Sequence, residues 1–139
     1  PAPFPEKMIM ADPRRWLKSR FNRSPKGFFR VTEGEYLRTF KQKKRIYATC
    51  EDYRAAATID LEHDKKDRKK KLNIPVQVLW GKKGVVGKQF NPIKIWQKYT
   101  NKKVYGVEIN SEHFIPEESP KQTVKYLKLF FLKNVKNNT

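Results

Sequence analysis

Two apolar runs of strand length, residues 74–80 and 104–109, constrain this chain more than any other feature. The first, Ile74-Pro-Val-Gln-Val-Leu-Trp80, ends at Gly81 and carries its proline near the start, where a missing amide donor is tolerated. The second is Val104-Tyr-Gly-Val-Glu-Ile109. Between them Asn91-Pro92 opens a helix bearing Ile95, Trp96 and Tyr99. A last helix starts at Ser119-Pro120, an N-cap followed by a first-turn proline. There Val124, Leu127 and Phe131 recur at helical spacing, with Lys121, Lys125 and Lys128 on the other face. Strand, crossover helix, strand and helix form a β-α-β-α unit, which requires parallel strands and a right-handed crossover. A parallel sheet must be covered on both faces, and two short strands are marginal alone. The expected class is α/β, with most of the sheet outside these residues.

Before residue 62 the patterns are helical. Residues 1–11 are proline-rich and predict no element. Asp12-Pro13 opens a helix whose Trp16, Leu17 and Phe21 can face inward. Ser24-Pro-Lys-Gly27 predicts a turn, and Thr32-Glu-Gly-Glu35 a capping box with a Val31–Tyr36 staple. Ile46, Cys50, Tyr53 and Ala57 form one apolar stripe on a helix from about Lys44 to Ala57. A short charged helix follows Asp60 and runs to Lys71. Residues 82–90 predict a glycine-containing loop, in which Gly84-Val-Val-Gly87 lacks the helix-opening pattern of a phosphate loop. The expected division is a helical segment, 1–61, and a β-α-β-α segment, 62–139.

With 139 residues, 37% apolar and 13% aromatic, the chain can bury a core and is not compositionally disordered. It opens on Pro1 rather than Met, and we expect a processed or incomplete chain. No apolar run approaches the ~18 residues of a membrane span. The single Cys50 rules out an intramolecular disulfide and suits a reducing, cytoplasmic setting. The net charge of +18 raises nucleic-acid binding as an alternative. Its 32 basic residues divide into 23 Lys and 9 Arg, however, and the lysines are scattered over the predicted helices and loops. Phosphate recognition concentrates arginine and interleaves it with aromatics. A solvated surface with weak, salt-sensitive polyanion adhesion is expected instead.

Chemistry rests on His113, in the loop Asn110-Ser-Glu-His-Phe-Ile-Pro-Glu-Glu118 between the last strand and the last helix. An α/β-hydrolase keeps its general base there, after the nucleophile and the acid in chain order. A loop histidine with a structural hydrogen bond is the rival reading. Gly81 to Val107 contain no Asp or Glu, so the orienting acid must precede the chain, or Glu108 or Glu112 must serve. No Gly-x-Ser-x-Gly or Gly-x-Asp-x-Gly turn is present, so the chain holds a base without a nucleophile. His63, His113 and Cys50 stand at no metal-ligand spacing, and no metal or cofactor is expected.

Cys50-Glu-Asp-Tyr-Arg-Ala-Ala56, Asp60-Leu-Glu-His-Asp64, Ile74 to Gly81, Gly84 to Gly87 and His113-Phe-Ile-Pro-Glu-Glu118 together resemble the C-terminal half of the haloacetate (fluoroacetate) dehalogenases. Pro1 to Glu6 and Asp12-Pro13 resemble that family's entry into its cap. The resemblance implies the C-terminal part of an α/β-hydrolase core, 62–139, preceded by most of a helical cap, 1–61. It also implies a reaction: an aspartate displaces halide from the α-carbon, and a histidine-activated water hydrolyses the ester. His113 matches the base, and Tyr53 the cap tyrosine that steadies the departing halide. The aspartate, its arginines, the acid and a His-Trp pair would lie upstream. The family usually has glycine before the histidine; this chain has Glu112. The implied partner is a small halogenated carboxylic acid, with no membrane or specific nucleic acid and room for a homodimer. Epoxide hydrolysis is the alternative chemistry, and an inactive remnant or a basic polyanion-binding module the non-enzymatic one. The 139 residues alone are expected to be inactive.

Overall fold

The computed structural model describes residues 2–21 and 28–135, and the side chains of 28–31 and 135 are not described. The predicted turn at Ser24–Gly27 and the Val31 half of the staple therefore lie outside the described residues. The chain divides into two compact units, Pro1–Arg68 and Lys69–Thr139.

The first unit is helical: α1 (Phe4–Ala11), α2 (Pro13–Arg20), α3 (Phe28–Phe40), α4 (Lys43–Ala56) and α5 (Ile59–Asp67). Helix α1 forms within residues 1–11, where the sequence predicts no element. Pro3 caps it and Pro5 stands in its first turn, where an amide proton would have no intrahelical acceptor. Its stability comes from tertiary packing: Ile9 joins Ile46 and Cys50 in a buried cluster flanked by Met10, Trp16 and Phe40. Helix α2 starts as predicted, the Asp12 carboxylate accepting from the Arg15 amide at 2.9 Å. Leu17 and Phe21 are buried, and Trp16 stacks on Phe40 with ring centroids 5.0 Å apart. The capping box needs correction. Helix α3 already runs from Phe28, so Thr32 is an interior residue, and Glu35 pairs with Arg38 at 2.9 Å. Helix α5 stops at Asp67 rather than Lys71.

The second unit contains β1 (Val76–Gly81), α6 (Val85–Gln89), α7 (Pro92–Trp96), a 3-10 turn (Gln97–Tyr99), β2 (Val104–Ile109), α8 (Ile115–Glu118) and α9 (Pro120–Val135). The strands pair in parallel, from Val76 opposite Val104 to Gly81 opposite Ile109. This is the β-α-β-α order expected from the pattern. Asn91 caps α7, its side-chain oxygen accepting from the Lys94 amide at 3.0 Å. Helix α7 lies so close over β2 that a Cβ at Gly106 would collide with Ile93. Residues 82–90 are not wholly loop, because α6 forms within them, and α8 likewise forms within 110–118. On α9 the inward face differs from the one expected. Val124 and Phe131 are exposed, whereas Thr123 is buried and Tyr126 and Phe130 are half-buried. The sheet selects that face: Tyr105 meets the Phe130 ring edge-on, and Gln77 donates to the Tyr126 carbonyl at 3.3 Å. Among the described residues no helix is long and apolar enough to cross a membrane.

Candidate active site

The carboxyl ends of parallel strands are where connecting loops converge on ligands in α/β sheets. Here the two strands end side by side at Gly81 and Ile109, and the chain leaves β2 through Asn110–Phe114. Ile109 is fully buried and anchors the exit. The loop after β1 then zips onto it: the Lys82 amide donates to the Ile109 carbonyl at 2.8 Å, and the Lys83 amide to the Ser111 carbonyl at 3.0 Å. The Glu112 carbonyl settles directly over Gly81, in space that any Cβ there would occupy. Glycine at 81 thus admits the backbone of the histidine loop.

Glu118, the last residue of α8, holds that loop from the other side. Its Oε2 accepts from the Glu112 amide at 2.6 Å and its Oε1 from the Phe114 amide at 3.2 Å. One carboxylate therefore binds the two amides that bracket His113. Ser119 adds a bond to the Asn110 carbonyl at 3.3 Å, and buried Thr123 donates across the break between α8 and α9.

His113 itself is exposed, its ring edge-on to Phe114 with centroids 4.9 Å apart. Among the described residues no carboxylate bonds to its imidazole. Glu108 faces the Lys82 ammonium at 3.3 Å, and Glu118 is turned to the backbone. A shallow depression along α9 is lined by Pro120, Lys121, Val124, Lys125 and Lys128, away from the histidine loop in sequence and without an acid.

Tyr53 belongs to the helical unit and is 72% exposed on α4. The stripe expected to contain it is buried only at Ile46 and Cys50; one residue beyond Tyr53, Arg54 turns inward instead. The Arg54 Nη2 meets the Glu6 Oε1 at 2.7 Å as a close ion pair rather than a well-aligned hydrogen bond, and Nη1 reaches Glu51 at 2.5 Å. Burial pushes the Glu6 carboxyl up, but the polarity of its own backbone amide and the Arg54 guanidinium outweigh that and hold it below its ordinary 4.5. Contact with Glu6 in turn raises Arg54. Burial, then the Glu6 charge, raises the Cys50 thiol, in keeping with its place in the packed cluster. Sequence reading missed both Glu6, inside the proline-rich start, and the double cap by Glu118. For Glu118, the available signal was a carboxylate shortly after the histidine and immediately before a Ser-Pro helix start.

His63 lies on exposed α5. Among the described residues no three His, Cys, Asp or Glu side chains gather as a metal site.

No family model matches the chain. It is 29% identical over 135 residues to a fluoroacetate dehalogenase of a Burkholderia species, covering 94% of this chain and 44% of that protein. The chain thus spans under half the length of that curated relative. Among solved structures it superposes on a candidate α/β hydrolase from Nostoc sp PCC 7120 with TM-score 0.87 and 40% identity, covering 94% of this chain and 46% of that one. A candidate epoxide hydrolase from Pseudomonas aeruginosa gives TM-score 0.85 and 30% identity, over 98% of this chain and 47% of that one. A candidate acyltransferase from Salmonella enterica gives 0.88 and 36%, over 96% and 45%. With its parallel strands, crossover helix and preceding helices, the chain carries part of an α/β-hydrolase fold.

Proposed function

We propose that residues 1–61 are the cap segment and 62–139 the C-terminal core of a haloacetate-dehalogenase-like hydrolase, with His113 as its general base. The observation that carries this reading is the presentation of His113 on a clamped loop at the carboxyl end of a parallel strand. The Cys50–Ala56 and His113–Glu118 segments and the 29% identity to a fluoroacetate dehalogenase support the substrate class.

In this mechanism an upstream aspartate carboxylate attacks the α-carbon of the haloacid. The carbon–halogen electron pair leaves with the halide, to which the Tyr53 hydroxyl donates a hydrogen bond. A water then gives a proton to His113 while its oxygen adds to the ester carbonyl carbon. Collapse breaks the acyl–oxygen bond, the departing alkoxide takes the proton back from His113, the hydroxy acid leaves, and the regenerated aspartic acid loses the second water proton to solvent. An exposed Tyr53, not committed to the core of its unit, is free to meet a ligand. The 139 residues alone are proposed to be inactive, because the ester must form on a residue they do not contain.

Epoxide hydrolysis is the second reading, favoured by the 30% identity to the P. aeruginosa protein. There a cap tyrosine would protonate the epoxide oxygen, and the same histidine would cut the ester. Halide release from haloacetate against diol formation from epoxides separates the two. His113→Ala in the complete protein tests the role common to both: covalent ester should accumulate in a single turnover, seen as added mass on the intact protein. Unimpaired multiple turnover by His113→Ala would refute it.

A further inference from the structure

We infer that Glu118 is the positioning residue of His113, setting the rate of ester hydrolysis without touching the substrate; this rests on His113 being the base. A loop residue that must receive a proton from water needs its backbone fixed on both sides, since a misplacement of about 1 Å can cost ~10²-fold in rate. The residues on either side of His113 are Glu112 and Phe114, and both amides end on the same carboxylate, at 2.6 Å and 3.2 Å. An ionised carboxylate accepting from backbone amides makes stronger bonds than a neutral acceptor. Backbone contacts hold the loop up to Glu112 through Gly81, Lys82 and Lys83, and after His113 the Phe114 carbonyl accepts from the Glu117 and Glu118 amides at 3.1 Å and 2.8 Å. Beyond His113 the chain turns at once into the four-residue helix α8, Ile115–Glu118, so Glu118 closes the loop on itself across a single helical turn. Among the described residues, the Glu118 carboxylate is the one group that ties the amide before His113 to the amide after it.

The chemistry makes the prediction selective. Ester formation uses the upstream aspartate and not His113, so a loosened histidine loop leaves it alone. Hydrolysis needs the imidazole within hydrogen-bond reach of the water and the carbonyl, so it slows. Glu118→Ala removes both acceptors. Glu118→Gln keeps one oxygen, which serves one amide, while its NH₂ cannot accept.

The test uses the complete protein, with single-turnover and steady-state kinetics on chloroacetate and intact-protein mass spectrometry. Ester formation should stay within about twofold of wild type, hydrolysis should fall about 10-fold in Glu118→Gln and ~10²-fold in Glu118→Ala, and ester should accumulate. If Glu118→Ala does not fold, Glu118→Gln decides. Equal slowing of both steps, or hydrolysis within about twofold of wild type in a variant that has lost the bonds, would overturn the inference and leave Glu118 a structural cap. His113→Ala, run alongside, separates the two claims: if it accumulates ester while the Glu118 variants do not, only the positioning role falls. If it turns over normally, the base assignment falls and the positioning role with it.

Discussion

Gly81→Ala probes the contact between the two strand-end loops most directly. A Cβ at that position would overlap the Glu112 carbonyl oxygen and stand 2.8 Å from the carbonyl carbon and 2.9 Å from the Ser111 oxygen. All are backbone atoms, so no rotamer change relieves the clash; the histidine loop must move. Overpacking of this kind costs about 1–3 kcal/mol. Moving the loop also breaks the Lys82–Ile109 and Lys83–Ser111 backbone bonds, worth about 0.5–1.5 kcal/mol each. Alanine offsets about 0.4–1 kcal/mol by restricting the unfolded chain. The net loss should be about 3 kcal/mol, or a melting temperature lower by roughly 10–20 °C for a unit of this size. Two controls calibrate the result. Gly34→Ala sits mid-helix with open space around it and should stabilise by about 0.5–1 kcal/mol. Gly106→Ala meets the Ile93 side chain rather than backbone, so part of its clash can relax. Thermal unfolding by circular dichroism gives the stabilities, and hydrogen exchange at the Glu112 and Phe114 amides reports the loop. A Gly81→Ala protein melting within about 2 °C of wild type, with unchanged exchange at both amides, would show that the bare Cα at 81 is not what lets the histidine loop pack there.

Two further outcomes follow from named contacts. On the proposed dehalogenase mechanism, Tyr53→Phe in the complete protein should slow halide departure by the loss of one charge-assisted hydrogen bond, roughly 1.5–3 kcal/mol, with the fold unaffected because the side chain is exposed; pre-steady-state halide release measures it, and a wild-type rate removes Tyr53 from the proposed site. The depressed Glu6 carboxyl contributes stability that is complete above its ordinary 4.5 and is lost as pH falls through its lower folded value. Melting temperature against pH should therefore drop on the acid side in wild type and drop less in Glu6→Gln, which should be less stable than wild type near neutrality; parallel curves with no neutral deficit would show that the Arg54 pair contributes nothing.

Where a signal is local, the sequence alone was sufficient. Asp12, Asn91 and Ser119-Pro120 begin helices because a side-chain acceptor or a fixed proline φ acts within one turn. The parallel pairing of the two strands followed from a helix lying between them, since no tight turn can join parallel neighbours. The histidine's place after β2 was legible for the same reason. What needed the tertiary structure were choices among locally equivalent options. Thr32-Glu-Gly-Glu35 can cap a helix, but α3 had already begun upstream, and an interior threonine has no free amides to cap. Pro3 to Ala11 has weak local preference and became helix because Ile9 found Ile46 and Cys50. On α4 an apolar pattern placed Tyr53 inward, yet Arg54 turns in because α1 supplies Glu6 to meet it. On α9, Tyr105 and Gln77 selected the Thr123–Tyr126–Phe130 face over one marked by better hydrophobes. The hold on His113 is of the same kind. Glu118 and Gly81 are ordinary residues in sequence, and only the fold, by bringing one carboxylate to two amides and one carbonyl onto a bare Cα, makes them specific to the site.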